Sequence, residues 1–474
     1  MEYEATIGLE VHAQLITKTK AFCTCPNHYG APPNTLVCPV CLGMPGVLPV
    51  LNRDMLDQAM KLALAVGATI HPRSKFDRKN YFYPDLPKGY QISQYDEPFS
   101  TGGVVQIEAD GHKKSVRIRR IHLEEDAGKS LHEPDGSTII DMNRCGVPLV
   151  EIVSEPDMRT PAEARAYLNE IRRLVRWLQV CDGDMEKGSL RCDANVSVRR
   201  KGASGFGTAT EVKNMNSIRG VERALAFEIE RQSGLLESGG TVIRQTLLWD
   251  EGEAVARPMR RKETSDDYRY FPEPDLVEVV VSPEWIQRIS QDIEELPAAR
   301  CERFHRAYGL TEETAEVLTS DCAVADYFEA LAKESGNARH AANWVQGEVL
   351  RILKEKNWEM ASFPVSASEL AGLMKEVDAE HLSLNSAKKV LDKMVTSGKS
   401  SVEIIEEEGL VQVSDVGKIE RAAREVLARF PDHVQKYRAG KTNIFGFFVG
   451  EVMKATEGRA NPKIASEVLK KLLS

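Results

Sequence analysis

Ile7-Gly8-Leu9-Glu10-Val11-His12-Ala13-Gln14-Leu15 alternates without a break. Ile7, Leu9, Val11, Ala13 and Leu15 fall on one side, and Glu10, His12 and Gln14 on the other. Successive strand residues point to opposite faces, so the spacing predicts a half-buried β-strand. A solvated strand face ordinarily carries Lys, Thr and Ser, whereas this one aligns a carboxylate, an imidazole and an amide. Taken alone, such a face still reads as a wet sheet surface. The rest of the chain has to decide.

Two later segments repeat the pattern. Residues 189–199 set Arg191, Asp193 and Asn195 against Leu190, Cys192, Ala194 and Val196. Residues 210–217 place Glu211 and Lys213 on one side, ahead of a helix capped by Ser217. Glu124 and Glu125 end the second strand of a hairpin turning at Asp110-Gly111. Its alternation changes phase near Arg119 and Arg120, which predicts a bulge. Residues 141–153 read as another strand, with Glu151 inside an apolar run.

If these strands share a sheet, several carboxylates and one imidazole gather on its face. Such carboxylates are costly to crowd together unless a cation sits among them. An oxygen-rich set with one imidazole suits Mg²⁺ or Mn²⁺ better than zinc. Arg191, Lys213 and Lys262 would suit nucleotide phosphates. The chain has neither a Walker A sequence nor a dinucleotide fingerprint, so a nucleotide site would stand on an antiparallel sheet. On pattern alone, a structural sheet and a metal–nucleotide site stand level.

Cys23 and Cys25, then Cys38 and Cys41, form two close pairs separated by a stretch with Pro and Gly. Four clustered cysteines suit a closed tetrahedral zinc site that fixes a loop short of core. No ligand position is left open, so the zinc is expected to be structural. The other five of the nine cysteines are scattered singly, against a disulfide framework.

The 474 residues can bury several domains' worth of core. No apolar run approaches the ~18–20 residues of a membrane span, and no signal peptide opens the chain, so a soluble, cytoplasmic protein is expected. The net charge of −9 is uneven. Residues 418–474 hold twelve Lys/Arg against six Asp/Glu, a local +6 that leaves −15 for residues 1–417. Only the basic end is expected to meet an anionic polymer.

Asn52 caps a helix expected over 52–66, and Thr160-Pro161 opens one expected to 180. Residues 76–90 fit neither period and read as an ordered loop with Arg78, Lys79 and Lys88. Residues 249–276 are polar and Arg-rich. From Ser282-Pro283 onward the periodicity is helical, with Thr311 as an N-cap and breaks at Pro364 and residues 398–401. Three domains are expected: 1–292, 293–400 and a basic tail, 401–474.

The motifs IGLEVHAQL, NYFYPDLPKGYQISQYD, HLEEDAGK, DMNRCGVPLVEIVSEPD, GSLRCDANVSVR, TEVKNMNS and GFFVGEVMKATEGRANP occur in order along the chain. End to end, the sequence resembles the B subunits of aspartyl/glutamyl-tRNA amidotransferases. The resemblance implies an α+β fold: an antiparallel-sheet catalytic cradle of glutamine synthetase-like type, then all-α helical and tail domains. It implies a complex with a glutaminase A subunit and a small C subunit. There the B subunit would use ATP to phosphorylate the side-chain carboxylate of mischarged Glu-tRNA(Gln) or Asp-tRNA(Asn), and ammonia from the A subunit would give the amide. Glu10, His12, Glu125, Glu151, Asp193 and Glu211 match the family's Mg²⁺ set, with Glu10, His12 and Glu125 as catalytic positions. Arg191, Lys213, Asn214 and Asn216 are the expected ATP contacts. Lys79, Lys88 and Asp275 match residues of the ammonia path, with Glu125 at its mouth. The tail would grip the tRNA. Two other readings are a non-catalytic, zinc-containing tRNA-binding scaffold and a stand-alone amide ligase, which would need no tail.

Overall fold

Tyr3–Gln14 (β1) is the strand its alternation predicts: Ile7, Leu9, Val11 and Ala13 are fully buried, while Glu10, His12 and Gln14 are half-buried on the other face. The computed structural model describes residues 3–133, 135–259, 269–410, 416–456, 460 and 462–473. They divide into two units, Met1–Pro297 and Ala298–Ser474.

β1 runs through the middle of a ten-stranded sheet. The other strands are Thr69–Ile70 (β2), Ser100–Thr101 (β3), Val104–Ala109 (β4), His112–Glu125 (β5), Pro148–Ser154 (β6), Leu190–Arg200 (β7), Thr210–Lys213 (β8), Thr246–Asp250 (β9) and Val255–Pro258 (β10). Their order is β10-β9-β8-β7-β1-β6-β5-β3-β2, with β4 pairing β5. Every pair is antiparallel except β8 with β9. A parallel pair needs a crossover, and the helix Ile218–Glu237 (α3) supplies it.

Two helices close the apolar face. Pro161–Trp177 (α2) packs on α3, β4 and β1, and α3 packs on β7. Leu168, Ile171, Val221 and Leu225 meet Ile7, Leu9, Val150 and Val196 in one core. Each such side chain contributes about 1.5–3 kcal/mol when fully buried. Covering one face this way leaves the other open for polar groups. A third helix, Arg53–Ala65 (α1), begins at Asn52, whose side chain accepts from the Asp54 N–H at 2.9 Å.

The sequence expectations hold for the hairpin, whose Asp110 and Gly111 take φ of 52° and 75°. The bulge also stands where expected: Val153 faces Arg120 but Ser154 faces Ile118, leaving Arg119 as the extra residue. Three readings need correction. α2 stops at Trp177, not 180, because Gln179 turns left-handed at φ 54° and Val180 N–H bonds back to the Val175 carbonyl. Residues 141–147 hold a short 3-10 turn, Met142–Arg144, so β6 starts only at Pro148. The supposed loop 76–90 has a strand at each end. Asp77–Asn80 and Tyr90–Ser93 pair with each other, and Arg269–Pro272 joins them as a small third strand. The polar, Arg-rich stretch after Trp249 holds the end of β9 and all of β10.

The second unit is helical. Thr311 caps Glu312–Leu318, Gly336 ends Cys322–Ser335 at φ 68°, and Gly398 ends Leu384–Ser397 at φ 68°. A π turn, Val345–Val349, stands between Ala338–Trp344 and Leu350–Lys356. Val416–Arg429, Phe445–Ala455 and Pro462–Leu473 gather Ile419, Ala423, Phe448, Val452 and Leu469 into a core of their own.

Candidate active site and four-cysteine metal centre

Residues opposite one another on antiparallel strands share a face, so register fixes which polar groups meet. His12 faces Arg191 on β7 and Glu151 on β6, and Glu151 faces His122 on β5. Two residues away along β1, Glu10 faces Asp193. Across β7 and β8, Asn195 faces Glu211. Five adjacent strands thus carry acids and imidazoles in neighbouring rows.

The contacts are specific. His12 Nε2 lies 3.1 Å from Glu151 Oε2, and His122 Nε2 approaches the same oxygen to 3.4 Å. His122, Glu124 and Glu151 each offer a ligand atom within 4.8 Å of the others. Asn195 Nδ2 donates to Glu10 Oε1 at 3.0 Å. Lys213 Nζ reaches Asp193 Oδ2 at 2.7 Å and Glu211 Oε1 at 2.9 Å. Arg191 Nη2 donates to Asp126 Oδ2 at 2.7 Å, which Gln14 Nε2 also meets at 2.8 Å.

Electrostatics divides the acids into two kinds. Burial, then the carboxylates of Glu151, Asp193 and Glu211, push the Glu10 carboxyl above its ordinary range, against His12. Burial would raise Glu151 too, but His122 and His12 hold it well below. Burial also works against protonated His12 and His122, yet Glu151 outweighs it and both are raised. Two carboxylates at 4 Å repel by about 4 kcal/mol at an effective dielectric of 20. The Glu10 side of the face therefore gathers three carboxylates, Glu10, Asp193 and Glu211, around one ammonium, that of Lys213.

Glu125 stands on the opposite parity. It faces Pro148, and its carboxylate bonds to Lys88 Nζ and accepts from Ile92 N at 2.9 Å. Its neighbour Glu124 turns to the acid rows, where Ser93 Oγ donates to it at 2.8 Å and Lys79 Nζ lies 3.6 Å away. Gln91 Nε2 ties the two together, donating to Glu124 Oε1 at 2.9 Å and to the Glu125 carbonyl at 2.7 Å. Lys88, Glu125 and Asp275 line a cavity of ≈ 200 Å³, and Arg78 Nη2 donates to Asp275 Oδ2 at 3.1 Å.

Of the expected nucleotide contacts, Arg191 and Lys213 lie on the polar face. Asn214, left-handed at φ 68°, turns its amide to the Trp249 carbonyl at 3.0 Å, and Asn216 is exposed beyond it. Lys262 lies outside the described residues. His122 and Asp126 were not singled out from sequence, and Glu124 only as the neighbour of Glu125 without a role, although His122 and Glu124 sit two apart on one strand.

Cys23, Cys25, Cys38 and Cys41 converge. The Cys41 Sγ is 3.9 Å from that of Cys23, 3.8 Å from that of Cys25 and 3.5 Å from that of Cys38. Four sulfurs at ~2.3 Å from one ion stand ~3.8 Å apart at the corners of a tetrahedron, so the donor set fits zinc. A hydrogen bond from Cys23 and the Cys38 N–H at 3.1 Å hold the Cys41 thiol down to about 4, against its burial. Lys20, fully buried, donates to the Leu36 carbonyl at 2.7 Å and points Nζ at Cys41 Sγ, 3.9 Å away.

Fold and site define an α+β body with an acidic sheet face and a four-cysteine cluster, followed by a helical unit. Residues 5–287 match the family model of the GatB/GatE catalytic domain, and residues 326–473 that of the GatB domain. The chain is 51% identical over 473 residues to the B subunit of the aspartyl/glutamyl-tRNA(Asn/Gln) amidotransferase from Chlorobium phaeobacteroides. It is 50% identical to that of Thermodesulfovibrio yellowstonii and 52% to that of Moorella thermoacetica, with 100% of both chains covered in all three comparisons. The chain belongs to the family of aspartyl/glutamyl-tRNA amidotransferase B subunits, whose enzyme is a ligase-type transamidase. Among the described residues no helix is long and apolar enough to cross a membrane.

Proposed function

We propose that the polar sheet face is a cradle of glutamine synthetase-like type, where ATP meets the side-chain carboxylate of Glu-tRNA(Gln) or Asp-tRNA(Asn). The observation that carries this is the pair of acid rows centred on Glu10 and His12, which a structural sheet would have no use for. Glu10, Asp193 and Glu211 in one group, and His122, Glu124 and Glu151 with His12 beside them in the other, would hold divalent cations. Glu124 takes the place first expected for Glu125, whose carboxylate turns to Lys88. Mg²⁺, when bound, offsets charge on the transferring phosphoryl group.

The residues divide the remaining work. Arg191 and Lys213 present cations that can exchange their carboxylate partners for phosphate oxygens. The substrate carboxylate attacks the terminal phosphorus and ADP leaves. Ammonia then attacks the acyl carbon, inorganic phosphate leaves, and the amide sheds one proton. Ammonia must arrive unprotonated, and Lys79, Lys88, Glu125 and Asp275 line its route from a glutaminase A subunit in a complex with a small C subunit. The basic end, residues 401–474, is the tRNA-gripping domain, and residues 293–400 form the helical domain between.

The test is ATP turnover by the purified complex on Glu-tRNA(Gln) and Asp-tRNA(Asn). Turnover should require mischarged tRNA and fall by at least ~10³-fold in a Glu10→Ala, His12→Ala double variant. Equal turnover in the double variant would refute the site and favour the non-catalytic scaffold.

A further inference from the structure

The four-cysteine loop and the Glu125 side chain share one cavity. Cys41, Gly43 and Met44 line it from the loop, and Lys88, Glu125 and Asp275 from the body. Gly43 makes the contact. Its φ is +63°, and a Cβ there would lie 2.4 Å from Lys88 Cγ and 3.2 Å from Lys88 Cα. The loop's main chain thus rests directly on Lys88, where no side chain would fit. On its other side Lys88 bonds to Glu125, fixed in turn by the Ile92 N–H.

Gly43 is also tied to the thiols. Its N–H bonds to the Val40 carbonyl at 3.1 Å, and the Leu42 N–H to the Cys38 carbonyl at 3.1 Å, so it continues the turn that carries Cys38 and Cys41. At Gly146 a Cβ would stand 3.7 Å from both Cys41 Cβ and Glu125 Oε2. One backbone thickness separates the thiol cluster from the carboxylate. Residues 15–52 form no helix or strand beyond one isolated bridge, Thr19 with Pro26. No ladder therefore holds Gly43 in place; it is carried by the turn of Cys38 and Cys41, through Gly43 N–H to the Val40 carbonyl and Met44 N–H to the Pro39 carbonyl, so its seat follows the position of those two thiols.

We propose that the metal-bound four-cysteine loop is the positioning wall of the Lys88–Glu125 pair: the occupied thiol site seats Gly43 on Lys88 and keeps Lys88 against Glu125. The proposal rests on the reading of Lys88 and Glu125 as part of the ammonia route. Loss of the wall opens the cavity to water and lets ammonia escape, so more glutamine is hydrolysed per amide formed.

The experiment labels the intact multi-subunit complex with acetic anhydride and follows Lys88 by mass spectrometry, with zinc content measured on the same samples. Chelator-stripped wild type and a Gly43→Ala variant should label Lys88 at least about tenfold faster than the zinc-loaded wild type. Returning Zn²⁺ should restore protection to the stripped wild type but not to Gly43→Ala, which keeps its zinc throughout. Equal labelling of Lys88 in loaded and stripped complex overturns the proposal, as does full protection in Gly43→Ala. Labelling needs neither ATP nor tRNA. A loaded complex that forms no amide would therefore count against the assigned function and leave this result standing.

Discussion

Lys20 shows what a single buried charge can say about a site. It is fully buried, and its amine meets a carbonyl and a thiol rather than a carboxylate. A buried ammonium is costly without an anion, and four thiolates around a divalent ion carry the two negative charges that would answer it. Replacing it by methionine keeps the length and removes the charge. Lys20→Met should lower zinc affinity by roughly 10–100-fold, the usual effect of losing a partner behind the ligands, in competition against a chromophoric chelator. Glu329 makes a second, simpler prediction. Hydrogen bonds from Arg303, then Arg300 and Tyr308, outweigh burial and hold its carboxyl down to about 2. Its ordinary value is about 4.3, so its stabilising effect is fully present above that pH and is lost as pH falls toward 2. Glu329→Gln should therefore unfold more readily at pH 7 and show a flatter acid limb in thermal melts; an unchanged acid limb would contradict the pairing. At this scale the sequence was readable where one face is apolar. Glu10 and His12 alternate with fully buried Leu9 and Val11. The end of β5 was not readable: Ile121 and Leu123 are buried on one face, but so are His122 and Glu124 on the other. With both faces covered, and a bulge at Arg119 shifting the phase, no pattern tells Glu124 from Glu125.

Among the elements, α3 carries the most weight, because the one parallel pair of the sheet depends on it. It delivers β9 beside β8 and so sets Thr246, whose Oγ1 donates to Glu211 Oε2 at 2.9 Å. Ser217 starts the helix, its Oγ accepting from the Gly220 N–H at 2.9 Å. Ser217→Ala should cost about 1 kcal/mol of stability. A lower urea midpoint in tryptophan fluorescence would show it, with Trp249 on β9 packed 6.2 Å from Phe227 of α3. An unchanged midpoint would mean that packing alone starts the helix. Long elements with caps were legible for the same reason: a capping side chain and a 3.6-residue stripe are local signals. The small sheet of Asp77–Asn80, Tyr90–Ser93 and Arg269–Pro272 was not, since four residues are too few for a period and its third strand comes from far along the chain. Its members hold Lys79 and Gln91 against Glu124, so part of the site was hidden with it.

For the whole molecule, the charge asymmetry makes the testable statement. Of the twelve Lys/Arg in residues 418–474, the eleven described are all exposed, while Arg459 lies outside the described residues. Exposed cations on a small helical core are suited to phosphates, and each phosphate neutralised makes binding weaker as salt rises. The place to cut is 416, not 401: Ser401–Glu408 buries Ile404 and Ile405 where it packs on Ala367–Asp378 and Leu384–Ser397, and removing it would uncover the apolar faces of those two helices. The core of Ile419, Ala423, Phe448 and Leu469 begins after that point. Deleting residues 416–474 should therefore raise the KM for mischarged tRNA by at least about tenfold and flatten its salt dependence, because the phosphate contacts go with it. Glutamine hydrolysis should change little, since the proposed function assigns it to the A subunit, and the body, Met1–Pro297, is left whole by the cut. A KM for tRNA that stays the same, with the same slope against salt, would show that the basic helices are merely solvated. The nucleic-acid contacts would then have to come from the body, whose residues 1–417 carry a net −15 and would repel it.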